Sequence, residues 1–148
     1  MRLTEYMMGG KQLHEMTAEH LMQRDAPYYR EDTSGFTLAT AMVKGRCGSV
    51  AIVNEKKQLV GIVTEFDLLK ALMKGADLEK VKAREIMSRQ PISVSNDQTA
   101  EKIIELMETR HLIHLPVVDK QGQLVGLIER DDVLLGYLES RLKPPKSF

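Results

Sequence analysis

The chain states one pattern twice. Gly61-Ile62-Val63-Thr64-Glu65-Phe66-Asp67-Leu68-Leu69 returns as Gly126-Leu127-Ile128-Glu129-Arg130-Asp131-Asp132-Val133-Leu134, an offset of 65 residues (126 − 61). The same shift carries Met22 to Met87, Asp32 to Asp97, Met42 to Met107 and Val53 to Val118, and the alignment needs no gap. Two copies are too few for a solenoid, and a unit of this length is too long for a propeller blade. Copies that occur as a pair bury their apolar faces against each other, and the seam between them is a natural place for a ligand. Function is therefore sought at that seam.

Composition narrows the classes. The 148 residues suffice for one domain or one fused pair of half-domains. Lys+Arg and Asp+Glu both count 21, so the formal net charge is zero. A general nucleic-acid binder needs a basic surplus to displace counterions, and Trp, a platform for stacked bases, is absent. The single cysteine, Cys47, excludes an intrachain disulfide. The charged start, Met1-Arg2-Leu3-Thr4-Glu5, does not read as a signal peptide, and no apolar run reaches membrane-spanning length. A soluble, cytoplasmic chain with no membrane or nucleic-acid partner is expected.

Periodicity then divides the chain. Residues 1–16, split by Gly9-Gly10, lie outside the repeat as a lead-in. The first copy spans 17–75, a linker spans 76–82, the second copy spans 83–142, and 143–148 is a tail that begins near Pro144-Pro145. Short helical turns are expected at Ala18–Met22 and Ala83–Met87, and short extended pieces at Pro27–Tyr29 and Ile92–Val94. Helices are expected at 34–45 and 99–110. Leu38, Ala39, Met42 and Val43 supply the buried stripe of the first, and Ala100, Ile103, Ile104 and Met107 that of the second. Ser49–Asn54 and Leu115–Asp119 read as buried strands, each followed by a polar turn and a second strand at 58–63 or 123–128. A closing helix follows at 65–73 and at 130–142. Each copy is thus roughly β-α-β-β-α, an α/β (α+β) half-domain, and the two are expected to pack sheet to sheet about a pseudo-two-fold axis.

These residues carry a family resemblance. An apolar strand, a polar hairpin, Gly-apolar-apolar-Thr-x-x-Asp and a closing helix, in tandem, resemble a cystathionine-β-synthase (CBS) domain pair, or Bateman module. His114-Leu115-Pro116-Val117-Val118-Asp119 followed by Gly122-x-Leu124-Val125-Gly126 is similar to the family's second half-motif. The resemblance covers residues 17 to 140. It implies that an adenine nucleotide (AMP, ADP or ATP), or after these S-adenosylmethionine or NAD, binds between the copies without a metal. It also implies dimerisation into a disc of four such units.

By resemblance, the carboxylate of Asp67 takes the ribose hydroxyls and the hydroxyl of Thr64 meets a phosphate oxygen. A strand handing over to a helix N-terminus suits an anion there. Thr64-x-x-Asp67 is equally a capping box, with Thr at the N-cap and an acid at N3, and pattern alone favours the cap. The second copy keeps Asp132 but has Glu129 in place of Thr. Glu is a mediocre N-cap, so the shared Asp argues for a ligand role. A carboxylate at Glu129 repels phosphate, so the second site is expected to be empty or to hold a nucleoside-like ligand.

The resemblance lines the first base pocket with Tyr28, Tyr29, Arg46, Cys47, Gly48, Ser49 and Val50. It lines the second with Ile92, Ser93, Val94, His111 and His114, with Arg130 in reach of phosphate. A stacking role on the base is open to Tyr28 or Tyr29, but the residues by themselves favour half-buried core tyrosines. Arg46, Lys44, Arg110 and His111 complement helix C-termini and as a group offer counter-charge. His111 and His114 flank a helix end and share no metal face. Nothing orients a base toward Cys47, so no catalytic site is expected.

The closing helices are apolar around more of their circumference than one core face needs (Leu68, Leu69, Ala71, Leu72 and Met73; Val133, Leu134, Leu135, Tyr137 and Leu138). A homodimer through them is expected. The reading is a non-catalytic, ligand-sensing module that signals to an unidentified effector protein, with a dimerising scaffold with vestigial clefts as the alternative.

Overall fold

The computed structural model describes residues 13–141; the start of the lead-in, with Gly9-Gly10, and the tail with Pro144-Pro145 lie outside them. A 3-10 turn (Leu13–Glu15) precedes α1 (Ala18–Leu21), β1 (Tyr28–Arg30), α2 (Gly35–Gly45), β2 (Ser49–Val53), β3 (Leu59–Thr64) and α3 (Glu65–Met73). The second copy runs α4 (Ala83–Ile86), β4 (Ser88–Arg89), β5 (Val94–Ser95), α5 (Ala100–Thr109), β6 (His114–Val118), β7 (Leu124–Glu129) and α6 (Arg130–Arg141). The α/β class holds, with sheets ordered β1-β2-β3-β4 and β5-β6-β7. No described helix is long and apolar enough to cross a membrane.

Local chemistry starts and stops these elements alike in both copies. The side chain of Ser34 accepts from Thr37 N at 3.1 Å and that of Thr99 from Lys102 N at 3.3 Å, which caps α2 and α5. Both helices give way to a left-handed residue, Arg46 (φ 50°) and His111 (φ 52°). The next amide then turns back, Cys47 N to Met42 O and Leu112 N to Met107 O. Leu38 and Met42 face one core, and Ala100, Ile103 and Met107 the other. Val43 departs from the expected stripe: it is 79% exposed, because it sits one step of about 100° beyond Met42 around the helix. The short strands also shift slightly. β1 ends at Arg30, and β5 begins only at Val94, leaving Ile92 exposed.

The chain forms two compact units that cut across the repeats. Among the described residues, one holds 26–92 with Gln121–Leu124; the other holds 13–25, 93–120 and 125–141. The first has a core of Leu38, Met42, Val50, Ile52, Val63, Leu68, Ala83 and Met87. The second buries Met16, Ala18, Leu21 and Met22 among Val94, Ala100, Ile103, Met107, Leu115, Val117, Ile128 and Val133. The heads of the repeats are therefore exchanged. Residues 16–22 complete the core of the second copy, and 83–87 that of the first.

Backbone hydrogen bonds repeat this exchange at the sequence offset. Ala100 N donates to Met16 O, Ala18 N to Gln98 O and Glu19 N to Asn96 O; the counterparts are Gly35 N to Val81 O, Ala83 N to Thr33 O and Arg84 N to Glu31 O. The exchange also explains the motif's glycine. A Cβ at Gly61 would stand 2.5 Å from Met87 Sδ, and one at Gly126 2.6 Å from Met22 Sδ. Both methionines are buried, so only glycine lets each head lie against its strand.

Candidate functional site

In the 26–92 unit, antiparallel pairing of β2 with β3 sets Ser49 opposite Thr64, and Glu65 N donates to Gly48 O at 3.1 Å. Ser49, Gly48, Thr64 and the start of α3 thus meet at one end of the sheet. The capping box is formed: Thr64 N donates to Asp67 Oδ2 at 2.8 Å, and Asp67 N donates to Thr64 Oγ1 at 3.3 Å. The Thr64 hydroxyl also donates to Asp67 Oδ2 at 3.1 Å. All three bonds use Oδ2 or the backbone. Asp67 Oδ1 makes no hydrogen bond among the described residues, and Asp67 is only half-buried. Beside this cap the Ser49 hydroxyl is buried with no partner among the described residues, at a cost of about 1–3 kcal/mol for such a group.

The equivalent place in the other unit is chemically different. Asp132 is 1% exposed. Its Oδ2 accepts from Glu129 N at 2.7 Å, the half of a capping box that an acid at N3 supplies. The Asp shared by both copies therefore has a capping role in each, and the argument that capping leaves it unexplained does not hold. Sequence reasoning also missed Gln23. Its Nε2 donates to both carboxylate oxygens of Asp132, at 3.1 and 2.8 Å. No pattern flagged it, because the residue at the matching place in the second copy is Ser88. Glu129 is not an isolated charge either: its Oε1 lies 3.6 Å from His114 Nδ1, both side chains largely buried. His114 and Glu129 stand where Ser49 and Thr64 stand in the first copy.

The remaining expected lining residues divide by burial. Val50 and Val94 point into their cores, which leaves only their backbone to meet a ligand. Tyr29 packs against the first core, whereas Tyr28 is exposed, with Lys57 Nζ 4.9 Å from its ring centroid. Cys47 is half-buried, its Sγ 3.8 Å from Ala41 O. Gly48 and Ser93 are half-buried, and Arg46, His111, Ile92 and Arg130 are exposed. No cluster of three or more metal-ligating side chains occurs among the described residues.

Two cavities in this unit lie elsewhere. One of about 520 Å³ is lined by Arg30, Asp32, Asn54, Lys56, Gln58 and Arg84 among others. It sits at the far ends of β1 and β2 from Thr64, and its charges are mixed. The other, about 210 Å³ and apolar, runs between α2 and α3 along Met42, Val43, Leu68, Leu69, Leu72 and Leu78.

A tandem repeat with this fold and this strand-to-helix motif matches a known family. The family model described as CBS domain fits residues 18–74 and again 83–139. The chain belongs to the CBS domain family. An uncharacterized protein of Methanopyrus kandleri is 32% identical over 123 residues, which cover 82% of this chain and 63% of that protein. The homoserine O-acetyltransferase of Methanococcus vannielii is 26% identical over 82% of this chain but only 25% of its own length. The CBS chain thus spans less than two thirds of either relative.

Two solved structures are similar as well. A CBS domain pair in complex with 5′-methylthioadenosine and S-adenosyl-L-methionine superposes with a TM-score of 0.72 at 25% identity, covering 82% of this chain and 99% of that one. The cytosolic domain of the Mg2+ channel MgtE in complex with ATP gives 0.69 at 29% identity, covering 81% of this chain and 48% of that one.

Proposed function

We propose that this CBS pair is a non-catalytic regulatory module that binds an adenosine-containing ligand, with Asp67 taking the ribose diol and Thr64 a phosphate oxygen. The observation that carries the reading is the unused Oδ1 of a half-buried carboxylate at the start of α3, next to the partnerless Ser49 hydroxyl. A diol offers two donors, and Asp67 has acceptor capacity left after capping its helix. α3 spans nine residues, so its first amides add a positive dipole end for phosphate. Similar CBS structures hold S-adenosyl-L-methionine and ATP, which supports the ligand class. Backbone groups of Gly48, Val50, Ser93 and Val94, with Tyr28, Arg46, Cys47, Ile92, His111 and Arg130 nearby in their own units, are the remaining contacts this reading assigns. The bound state would be read by an effector protein, in a cytoplasmic setting.

A thermal-shift panel of AMP, ADP, ATP, S-adenosylmethionine and NAD tests this. A ligand at a hundredfold excess over its Kd stabilises by about 2.7 kcal/mol, which raises the Tm of a chain this size by several degrees, at about 2–4 °C per kcal/mol. One adenine nucleotide should give that shift with the wild type and lose it with Asp67→Ala. A flat response to every compound would overturn the reading and leave the scaffold.

The closing helices carry the second part of the proposal, a homodimer. Phe66, Leu69, Leu72 and Met73 on α3, and Leu134, Tyr137 and Leu138 on α6, are exposed, Met73 by 88%. Leu69, Leu72 and Met73 match Leu134, Tyr137 and Leu138 at the repeat offset, so each copy presents the same kind of apolar face, and a second chain would supply the same patches for a two-fold contact. Sedimentation at micromolar concentration should return a dimer mass, and a monomer would refute it.

A further inference from the structure

Asp67 and Asp132 hold the same place in their copies, yet one is open and the other is taken. Gln23 Nε2 reaches both oxygens of Asp132, and Oδ2 also accepts from Glu129 N. Gln23 is itself anchored on both sides of its backbone. Its N–H donates to Leu127 O at 2.8 Å and its carbonyl accepts from Leu127 N at 3.1 Å, while the preceding residue, Met22, is buried over Gly126. The amide nitrogen of Gln23 thus donates across both oxygens of the carboxylate, the acceptors that the two hydroxyls of a vicinal diol would need. Its counterpart at the repeat offset is Ser88, in the head of the second copy, which from β4 pairs with Ile62 of β3, is exposed and makes no side-chain hydrogen bond among the described residues.

We propose that Gln23 is an internal occupant of the second carboxylate and sets the stoichiometry: the chain takes one diol-bearing adenosyl ligand, at Asp67. This rests on the ribose-binding reading of Asp67 given above. A ligand arriving at Asp132 must displace a donor that is already in place and loses no freedom by staying there, whereas the ligand must give up its own. The His114–Glu129 pair works in the same direction, since it puts a carboxylate where the first copy offers the hydroxyl of Thr64.

The test is calorimetric titration of the full chain with AMP, ATP and S-adenosylmethionine in turn. Wild type should bind one ligand per chain. Gln23→Ser, which copies Ser88 of the second repeat, should bind two, and Gln23→Ser/Asp132→Ala should return to one. A folded Gln23→Ser that still binds one, beside a wild type that binds one, overturns this inference and leaves the ribose reading standing. A second site that survives in the double variant overturns it too. If neither wild type nor Gln23→Ser binds any of the three compounds, both proposals fall. Should Gln23→Ser not fold, the reciprocal Ser88→Gln, at an exposed position, decides. It should lock Asp67 and weaken binding about tenfold or more, and unchanged affinity rejects the latch.

Discussion

A chain begun at Asp25 is expected to lose the unit built on the second repeat. Residue 16 reads as the end of the lead-in and 17–22 as the head of the first copy, yet Met16, Leu21 and Met22 are fully or almost fully buried in the core of the second copy. Burial of a side chain of this size contributes about 1.5–3 kcal/mol, so the three together contribute roughly 6 kcal/mol. That is on the order of the whole stability of a small domain, about 5–15 kcal/mol. Deletion also strips the partners of Ala100 N and of the carbonyls of Gln98 and Asn96. Heteronuclear NMR should show dispersed signals for 26–92 at most, and collapsed ones for β6, β7 and α6. A truncated chain that melts cooperatively at the wild-type temperature would show that the head does not belong to that core.

The second large effect separates two residues that the repeat makes look equivalent. Asp67→Ala should cost about 1 kcal/mol, the ordinary value of a helix cap. Asp132→Ala should cost roughly 3 kcal/mol, since it removes a cap and also leaves the Gln23 amide without its acceptors, a further 1–3 kcal/mol or so. Urea unfolding reads the difference directly as a shift in midpoint at constant slope. A double-mutant cycle with Gln23→Ser should return a coupling of about 1–3 kcal/mol, because the double variant no longer strands either partner. Equal costs for the two Asp variants would mean that the Gln23 contact contributes nothing.

Much of the architecture was legible before any coordinates. The stripes through Leu38 and Met42 and through Ile103 and Met107 located α2 and α5 to within a residue, because burial of one helical face is a local demand. The same holds for β2 and β3, where a continuous apolar run ends in a polar turn. Val43 was misjudged because one apolar residue beside a stripe leaves its helical face undecided. Gly61 and Gly126 were seen as motif positions, but the reason for them, a methionine from a distant segment lying on the strand, was not visible. Gln23 was invisible for the same reason. It lies 109 residues from Asp132, and no periodicity links residues at that separation.

Chain-local physics, the spacing of apolar side chains and the chemistry of caps and turns, was enough to specify the elements, their order and their duplication. Which copy each head segment completes could not be read there, since both heads make corresponding backbone bonds and lie on a motif glycine, so only the folded chain shows the pairing. Tertiary structure likewise decided that one motif carboxylate stays open while its twin is occupied. That distinction depends on a single amide delivered through space by the exchanged head.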